Sequence, residues 1–557
     1  MSEGVTATAE AAADAIGGPN PIVGIRGKEV TASLGSLFGE LARHPGRAGA
    51  ALGHLASSTA DVVRGRSSLR PEAKDRRFLD EAWSQNSWYR RLVQLYLATG
   101  AEMENWLEGS TLSALDRARA RFMISLLFDA AAPSNLPLNP AAVKRFIDTG
   151  GASAVTGFRQ FVADVRRNGG LPRQVDVDGF QVGGNLAATA GSVVYADEVL
   201  ELIQYNPRTP TVRERPLVIL PPQINKYYVF DLSPGKSVVA YALDHGQQVF
   251  VVSWRNPTAE HRDWDLGTYL RSAEAALEAA SAITGSDVNV LGACSGGITA
   301  VALAAFLAGR SKDLIHSLSL FVSVFDTAED RTLLGIFASD DAMAAAKRRS
   351  QTRGVLEGDE LGRMFALLRP NDLIWSYWVN NYLLGRRPPA FDVLFWNNDS
   401  TRLPAALHAQ LIDIYRDNSL VERGGLVIDG NPLDLALVRH DAFVLAGTTD
   451  HITPWDACYR SATRLPGEVE FVLSSSGHIQ SILNPPGNPK STFFRSRDLP
   501  PSAGEWRAGA EEVAGSWWPH WMDWLGARSG EHKPAPRRLG DRKHAPLGAA
   551  PGSYVHE

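Results

Sequence analysis

Val288-Asn-Val-Leu-Gly-Ala-Cys-Ser-Gly-Gly297 decides how this chain is read. Val288, Val290 and Leu291 read as a short buried strand, Gly292-Ala-Cys-Ser-Gly296 as a sharp turn, and Ile298 to Ala308 as a helix of small residues. Strand, turn and helix in that order are the setting of a G-x-S-x-G nucleophile elbow, with cysteine where an esterase carries serine. Gly292 and Gly296 flank the turn because a Cβ at either would collide with the adjoining strand or helix. Cys294 then stands above the sheet at a helix N-terminus, whose dipole and free N–H groups favour a thiolate and a developing oxyanion. The motif alone does not exclude a structural cysteine in a glycine-rich turn.

Working outward, Leu217–Leu220, Gln248–Trp254, Ser317–Phe325, Asp441–Ala446 and the strand beginning at Val469 alternate with helices read at about 234–245 and 266–283. Val193–Tyr195 and Val199–Tyr205 read as an earlier strand pair. Such alternation implies a parallel sheet covered on both faces. Between Phe325 and Asp441 lies an insert rich in aromatics and amides, including Trp375, Trp378, Asn381 and Tyr382. Placed over the C-terminal edge of the sheet, it reads as a cap that excludes water from the site. Ser233-Pro-Gly-Lys-Ser237 lacks phosphate-loop spacing and is discounted.

Two strand ends supply what a cysteine nucleophile needs. One runs out at Thr449-Asp450-His451, the other at Gly477-His478. Nucleophile, acid, histidine, each on a turn after a strand, is the α/β-hydrolase order. His478 would take the thiol proton, and Asp450 would hold the imidazole tautomer. His451 is read as a bystander whose side chain points away from that of Asp450. Cys458 is read as packing.

The remainder sets boundaries. The chain has 557 residues, a net charge of −5 and two cysteines, Cys294 and Cys458. That length needs more than one structural unit. The charge balance gives no electrostatic footprint for nucleic acid, two cysteines make no disulfide framework and suit a reducing cytoplasm, and no apolar run reaches transmembrane length. The first residues lack the basic region and apolar core of a secretory signal. Residues 1–25 read as a disordered tail, 26–175 as a mostly helical N-terminal domain in which Trp83, Trp88, Tyr96 and their neighbours recur at helical spacing, and 176–557 as an α/β-hydrolase catalytic domain with the cap at about 327–440.

Several blocks give the chain a resemblance. Gly292-Ala-Cys-Ser-Gly-Gly297, Asn225-Lys-Tyr-Tyr228, Val252-Ser-Trp-Arg-Asn-Pro257, Arg369-Pro-Asn-Asp-Leu-Ile-Trp375, Phe391-Asp-Val-Leu-Phe-Trp-Asn397, Thr449-Asp-His-Ile-Thr-Pro-Trp455, Ser476-Gly-His-Ile-Gln480 and Gly515-Ser-Trp-Trp518 resemble the polyhydroxyalkanoate synthases. The likeness runs from about residue 70 to Glu557. Gly477 to Lys490 is more similar to class II, which uses medium-chain units, and class I stays open. The resemblance implies that (R)-3-hydroxyacyl-coenzyme A acylates Cys294, that coenzyme A leaves, and that the 3-hydroxyl of the next unit attacks the bound thioester. Coenzyme A belongs to the substrate; no cofactor and no metal are expected. The Ser295 N–H and one from the Pro222–Asn225 loop, at Ile224, would form the oxyanion hole. Ser323 and Gln480 are candidates to line the acyl pocket. The resemblance leaves open whether Asp450 or His478 activates the incoming hydroxyl. It also implies a homodimer acting in the cytoplasm at the surface of polyester granules, with granule-associated proteins and the growing chain as partners. A thiol-dependent acyl-CoA or polyester hydrolase on the same fold is the rival activity, and a granule-binding protein with a vestigial triad is the non-enzymatic one.

Overall fold

The computed structural model describes residues 27–73, 75–328, 339–358, 360, 370–388 and 390–557. The tail at 1–25 lies outside the described residues, as do parts of the insert. The described residues fall into two compact units, one drawn from 27–178, 339–342, 370–388 and 390–391, the other from 179–328, 343–358, 360 and 392–557.

The second unit is built on an eleven-stranded sheet. Its strands, in chain order, are β1 (Gly191–Ala196), β2 (Leu200–Tyr205), β3 (Leu217–Leu220), β4 (Val249–Trp254), β5 (Val288–Ala293), β6 (Ile315–Phe321), β7 (Asp441–Gly447), β8 (Val469–Ser474), β9 (Thr492–Arg495), β10 (Glu511–Ala514) and β11 (Gly548–Ala549). They lie in the order β10-β9-β8-β7-β6-β5-β3-β4-β2-β1-β11. The block from β4 to β8 is parallel, with antiparallel strands at both margins. Every residue of β3, β4 and β5 is buried. That is why they are continuous runs of Val, Ile, Leu and Phe with few alternating polar residues: helices cover both faces. The chain winds outward from β3 to β4, then returns past β3 to β5. The crevice at such a reversal opens between the C-terminal ends of β3 and β5, where Leu220 pairs with Gly292.

The α/β-hydrolase architecture is therefore present, with small differences at element ends. The helix expected from about 234 spans Val238–Asp244, because Pro234-Gly235 makes a turn with Gly235 at φ +82° and Ser237 caps the helix through the Ala240 N–H. The strand expected to reach Phe325 stops at Phe321. Val322 takes φ +44°, a strained value for a β-branched residue, and the Ser323 hydroxyl donates to the Phe321 carbonyl.

Close approach explains the glycines of the elbow. A Cβ on Gly296 would stand 2.2 Å from the Leu220 carbonyl oxygen and 2.7 Å from the Pro221 backbone; on Gly292 it would stand 2.5 Å from the Gly296 oxygen. Backbone cannot yield as a side-chain tip can. Gly296→Ala is expected to destabilise this unit by about 3 kcal/mol, read as a lowered urea midpoint. A midpoint unchanged from wild type would show that the β3 loop can retreat.

The first unit is helical, with Pro45–Val63, Ser87–Glu108, Ala114–Ala130, Pro140–Asp148 and Ala152–Arg167 as its main helices. Phe78, Trp83, Val93, Tyr96 and Ala132 form one of its cores, and Tyr96 stacks on Phe128 with ring centroids 4.0 Å apart. Residues 370–388 of the insert belong to this unit. Trp378 and Tyr382 meet the Phe161 ring edge to face, Asn381 donates to the Arg173 carbonyl, and the Tyr382 hydroxyl donates to Asp164. The insert is thus shared between the units, whereas the sequence reading gave it whole to the catalytic domain.

Candidate active site

Cys294 sits between β5 and the helix Ser295–Gly309 with φ +51° and ψ −123°. A non-glycine residue there costs of order 1–3 kcal/mol, and the flanking glycines let the chain hold it. Its N–H donates to the Phe321 carbonyl of β6, 3.0 Å away. The Ser295 N–H opens the helix, so it has no carbonyl four residues back to bond.

Asp450 and His478 follow β7 and β8. His478 Nδ1 lies 2.6 Å from Asp450 Oδ2. The carboxylate is saturated: Oδ1 accepts the Ile452 and Thr453 N–H groups, each at 2.9 Å, and Oδ2 accepts the Thr453 hydroxyl at 2.7 Å besides the imidazole. Burial raises the Asp450 pKa, but the His478 charge, its hydrogen bond and the Thr453 donors outweigh it and leave the group lowered. Burial works against a charged His478 too. The charge and hydrogen bond of Asp450, then the hydrogen bond and charge of Cys294, raise it to about 10. Cys294, His478 and Asp450, 184 residues apart at the extremes of the sequence (478 − 294), are therefore brought together as one chain of interacting groups. His478 opens the short helix His478–Ile482, which is anchored from below: the Trp517 and Trp518 indoles donate to the Ser481 and Ile482 carbonyls.

The loop after β3 faces the elbow. The Gln223 N–H donates to Ser295 Oγ at 3.3 Å, and its side chain donates to Thr299 at 2.8 Å. Thr401 donates from its hydroxyl to the Gln223 carbonyl and from its N–H to that of Ile224; the Trp396 indole donates to the Lys226 carbonyl. Loop carbonyls are thereby occupied, and the Ile224 N–H has no acceptor among the described residues. Unpaired N–H groups at Ser295, next to the strained cysteine, and at Ile224, on the loop that Gln223 ties to the elbow, are the kind of donor an oxyanion needs.

The other expected residues are placed as follows. Ser323 is 1% exposed, and a Cβ on Gly297 would fall 1.9 Å from its hydroxyl, so it packs beneath the first turn of the Cys294 helix. Gln480 is exposed on the His478 helix. Cys458 is fully buried and its thiol donates to the Thr453 carbonyl at 3.6 Å; burial, then Asp450, pushes its pKa well up. Ser233 and Lys236, discounted as a phosphate loop, hold the carboxylate of Asp392 at 2.6 and 2.9 Å. Sequence reasoning missed Thr453. An aspartate whose carboxylate receives the N–H groups two and three residues on, with threonine as the third, is an Asx-type turn signal that Asp450-His-Ile-Thr453 carries.

A family model described as the poly-beta-hydroxybutyrate polymerase (PhaC) N-terminus matches residues 74–242, and one described as the alpha/beta hydrolase fold matches residues 216–485. Poly(3-hydroxyalkanoate) polymerase 1 of Ectopseudomonas oleovorans is 51% identical over 541 residues, 97% of each chain. Polymerase 2 of the same organism is 49% identical over 538 residues, 96% of each. The polymerase subunit PhaC of Cupriavidus necator is 38% identical over 506 residues, 89% of this chain and 85% of that one. At that identity and coverage, the chain belongs to the poly(3-hydroxyalkanoate) polymerase family.

Proposed function

We propose that this enzyme polymerises (R)-3-hydroxyacyl units from coenzyme A thioesters through an acyl-Cys294 intermediate, with His478 as the proton carrier and Asp450 as its orienting acid. The observation that carries the residue roles is the strained Cys294 coupled to a His478 whose imidazolium a buried carboxylate stabilises. The Cys294 thiolate attacks the thioester carbonyl, the oxyanion forms beside Ser295 and Ile224, and coenzyme A leaves with the proton from His478. In the second half, the 3-hydroxyl of another unit gives its proton to His478 as its oxygen attacks the acyl-Cys294 carbonyl. A C–O ester bond forms, the C–S bond to Cys294 breaks, and the lengthened chain returns to Cys294 from its own coenzyme A thioester.

His478 serves both halves in this reading. Asp450 already accepts four hydrogen bonds and its side chain is fully buried, which supports His478 over Asp450 as the group that takes the hydroxyl proton. No cofactor takes part beyond the coenzyme A that arrives with the substrate. Gln480 and Ser323 would tune the acyl pocket, the first directly and the second through the helix it supports; medium-chain units are the preference to test first.

Incubation with (R)-3-hydroxyacyl-coenzyme A, following free thiol and then insoluble polyester, tests the proposal. Thiol with free hydroxy acid and no polymer would instead establish the rival hydrolase, and no thiol release would leave a binding protein. Thr453→Val is expected to lower kcat about tenfold with KM nearly unchanged, since a buried hydrogen bond to a charged group is worth ~1.5–3 kcal/mol. Thr453→Ser should restore most of the rate; equal loss in both variants would point to packing alone.

The helical unit is proposed to mediate dimerisation and contact with the polyester and its associated proteins. Trp83 and Tyr96 cannot form such a surface, being spent in the core. Phe38, Leu52, Phe146, Ile147 and Phe158, each more than half exposed, support it better. Among the described residues no helix is long and apolar enough to cross a membrane, so the association would be peripheral.

A further inference from the structure

The loop that carries Ile224 is tied to the last residues of the chain. Lys226, two positions on from Ile224, is only 3% exposed, and its ammonium donates to the main-chain oxygens of Glu557 at 2.8 Å and Tyr554 at 3.4 Å. Burial lowers its pKa, opposed by the carboxylates of Asp399 and Glu557 and aided by Arg402. A buried ammonium without fixed acceptors costs several kcal/mol, so the site of Lys226 and the docking of these residues depend on each other.

The end segment is itself fastened at many points. Strand β11 pairs with β1. Buried Glu201 of β2 accepts the Ser553 N–H and hydroxyl and the Tyr554 N–H. The Tyr554 hydroxyl donates to the Asp197 carbonyl, and the Arg255 guanidinium lies 4.1 Å from the Tyr554 ring centroid. A Cβ on Gly552 would lie 2.3 Å from a Glu201 oxygen, so the segment seats against the sheet without slack.

We infer that residues 548–557 act as a strap which, through Lys226, fixes the loop carrying the Ile224 N–H, making Lys226 a positioning residue for acyl transfer. The other loop anchors act on carbonyls from Thr401 and Trp396; Lys226 ties the loop to the β1–β2 margin. The inference rests on the oxyanion role proposed for Ile224 and Ser295.

The test exploits a difference between two reactions of one thiol. Acyl transfer builds an oxyanion; alkylation of Cys294 by iodoacetamide is a displacement at carbon and builds none. Lys226→Met keeps the length and removes the charge. It is expected to lower kcat for thiol release from 3-hydroxyacyl-coenzyme A by about 10- to 100-fold, with KM within about twofold and the alkylation rate unchanged. Tyr554→Ala, which loosens the strap without touching the loop, should give the same selective loss and stands in if the lysine variant does not fold. Wild-type acyl transfer in either folded variant, or alkylation falling in step with it, overturns the proposal. Wild-type enzyme is assayed first, with and without prior alkylation; activity surviving alkylation would refute the nucleophile assignment itself, separately from the strap.

Discussion

Cys294→Ala is expected to lower thiol release by roughly 10⁴-fold or more, leaving only what an oxyanion hole and a base can do without a nucleophile. Alanine fits the elbow as well as cysteine does, so the fold should survive and the loss is chemical. Cys458 cannot substitute. It is buried, its thiol is held protonated by burial and by the Asp450 charge, and it faces the Thr453 carbonyl. Cys458→Ser should accordingly keep the rate within about threefold, the change being one small buried group. Mass spectrometry of the quenched enzyme should find the acyl group on the peptide containing Cys294. Turnover persisting in Cys294→Ala, or collapsing in a folded Cys458→Ser, would reassign the nucleophile.

Asp450→Asn should cost about 10³-fold in kcat, because the amide offers His478 Nδ1 a donor as readily as an acceptor and the tautomer is no longer fixed. It also carries a pH signature. His478 is raised from 6.5 to about 10 in the folded protein, so its contribution to stability is complete below about pH 6.5 and fades as pH climbs through 10. Asp450 is lowered from 3.8, so its contribution is complete above that value and is lost as pH falls below it. The Tm gap between wild type and Asp450→Asn should therefore be widest between about pH 4 and 6.5 and narrow steadily toward pH 10. A gap independent of pH would mean that the pair is not ionised as the geometry implies.

Much of this site was legible in sequence because strain and strand order leave marks. A cysteine between glycines at a strand–helix junction announces a positive φ and crowded backbone, and both are found at Cys294 and Gly296. That Cys294, Asp450 and His478 can meet although far apart in sequence follows from strand ends converging along one edge of a parallel block. What escaped reading lacks period or spacing. β11 is two residues, Gly548 and Ala549, with no alternation to detect. Trp83 and Tyr96 advertise a helical stripe, yet whether a stripe faces core or solvent depends on partners such as Phe78 and Ala132 from other segments. Ser323 looked like a strand residue open to ligand; the turn at Val322 redirected it beneath the Cys294 helix.

The ring cluster of Phe161, Trp378 and Tyr382 has a meaning for biosynthesis. Tyr382 reaches Asp164 across 218 residues of chain. At about 5–20 residues per second, the ribosome delivers that partner some 10–40 s after the N-terminal helices emerge. Through this interval the nascent helix presents Phe161 without its ring partners, and all of β1 to β6 is made before the first unit can close. A truncation that discards residues up to about 170 would not free an independent catalytic domain, since it would strand 370–388 without their folding partners. Dissecting the enzyme therefore calls for side-chain substitutions, because no single cut through the polypeptide separates its two halves.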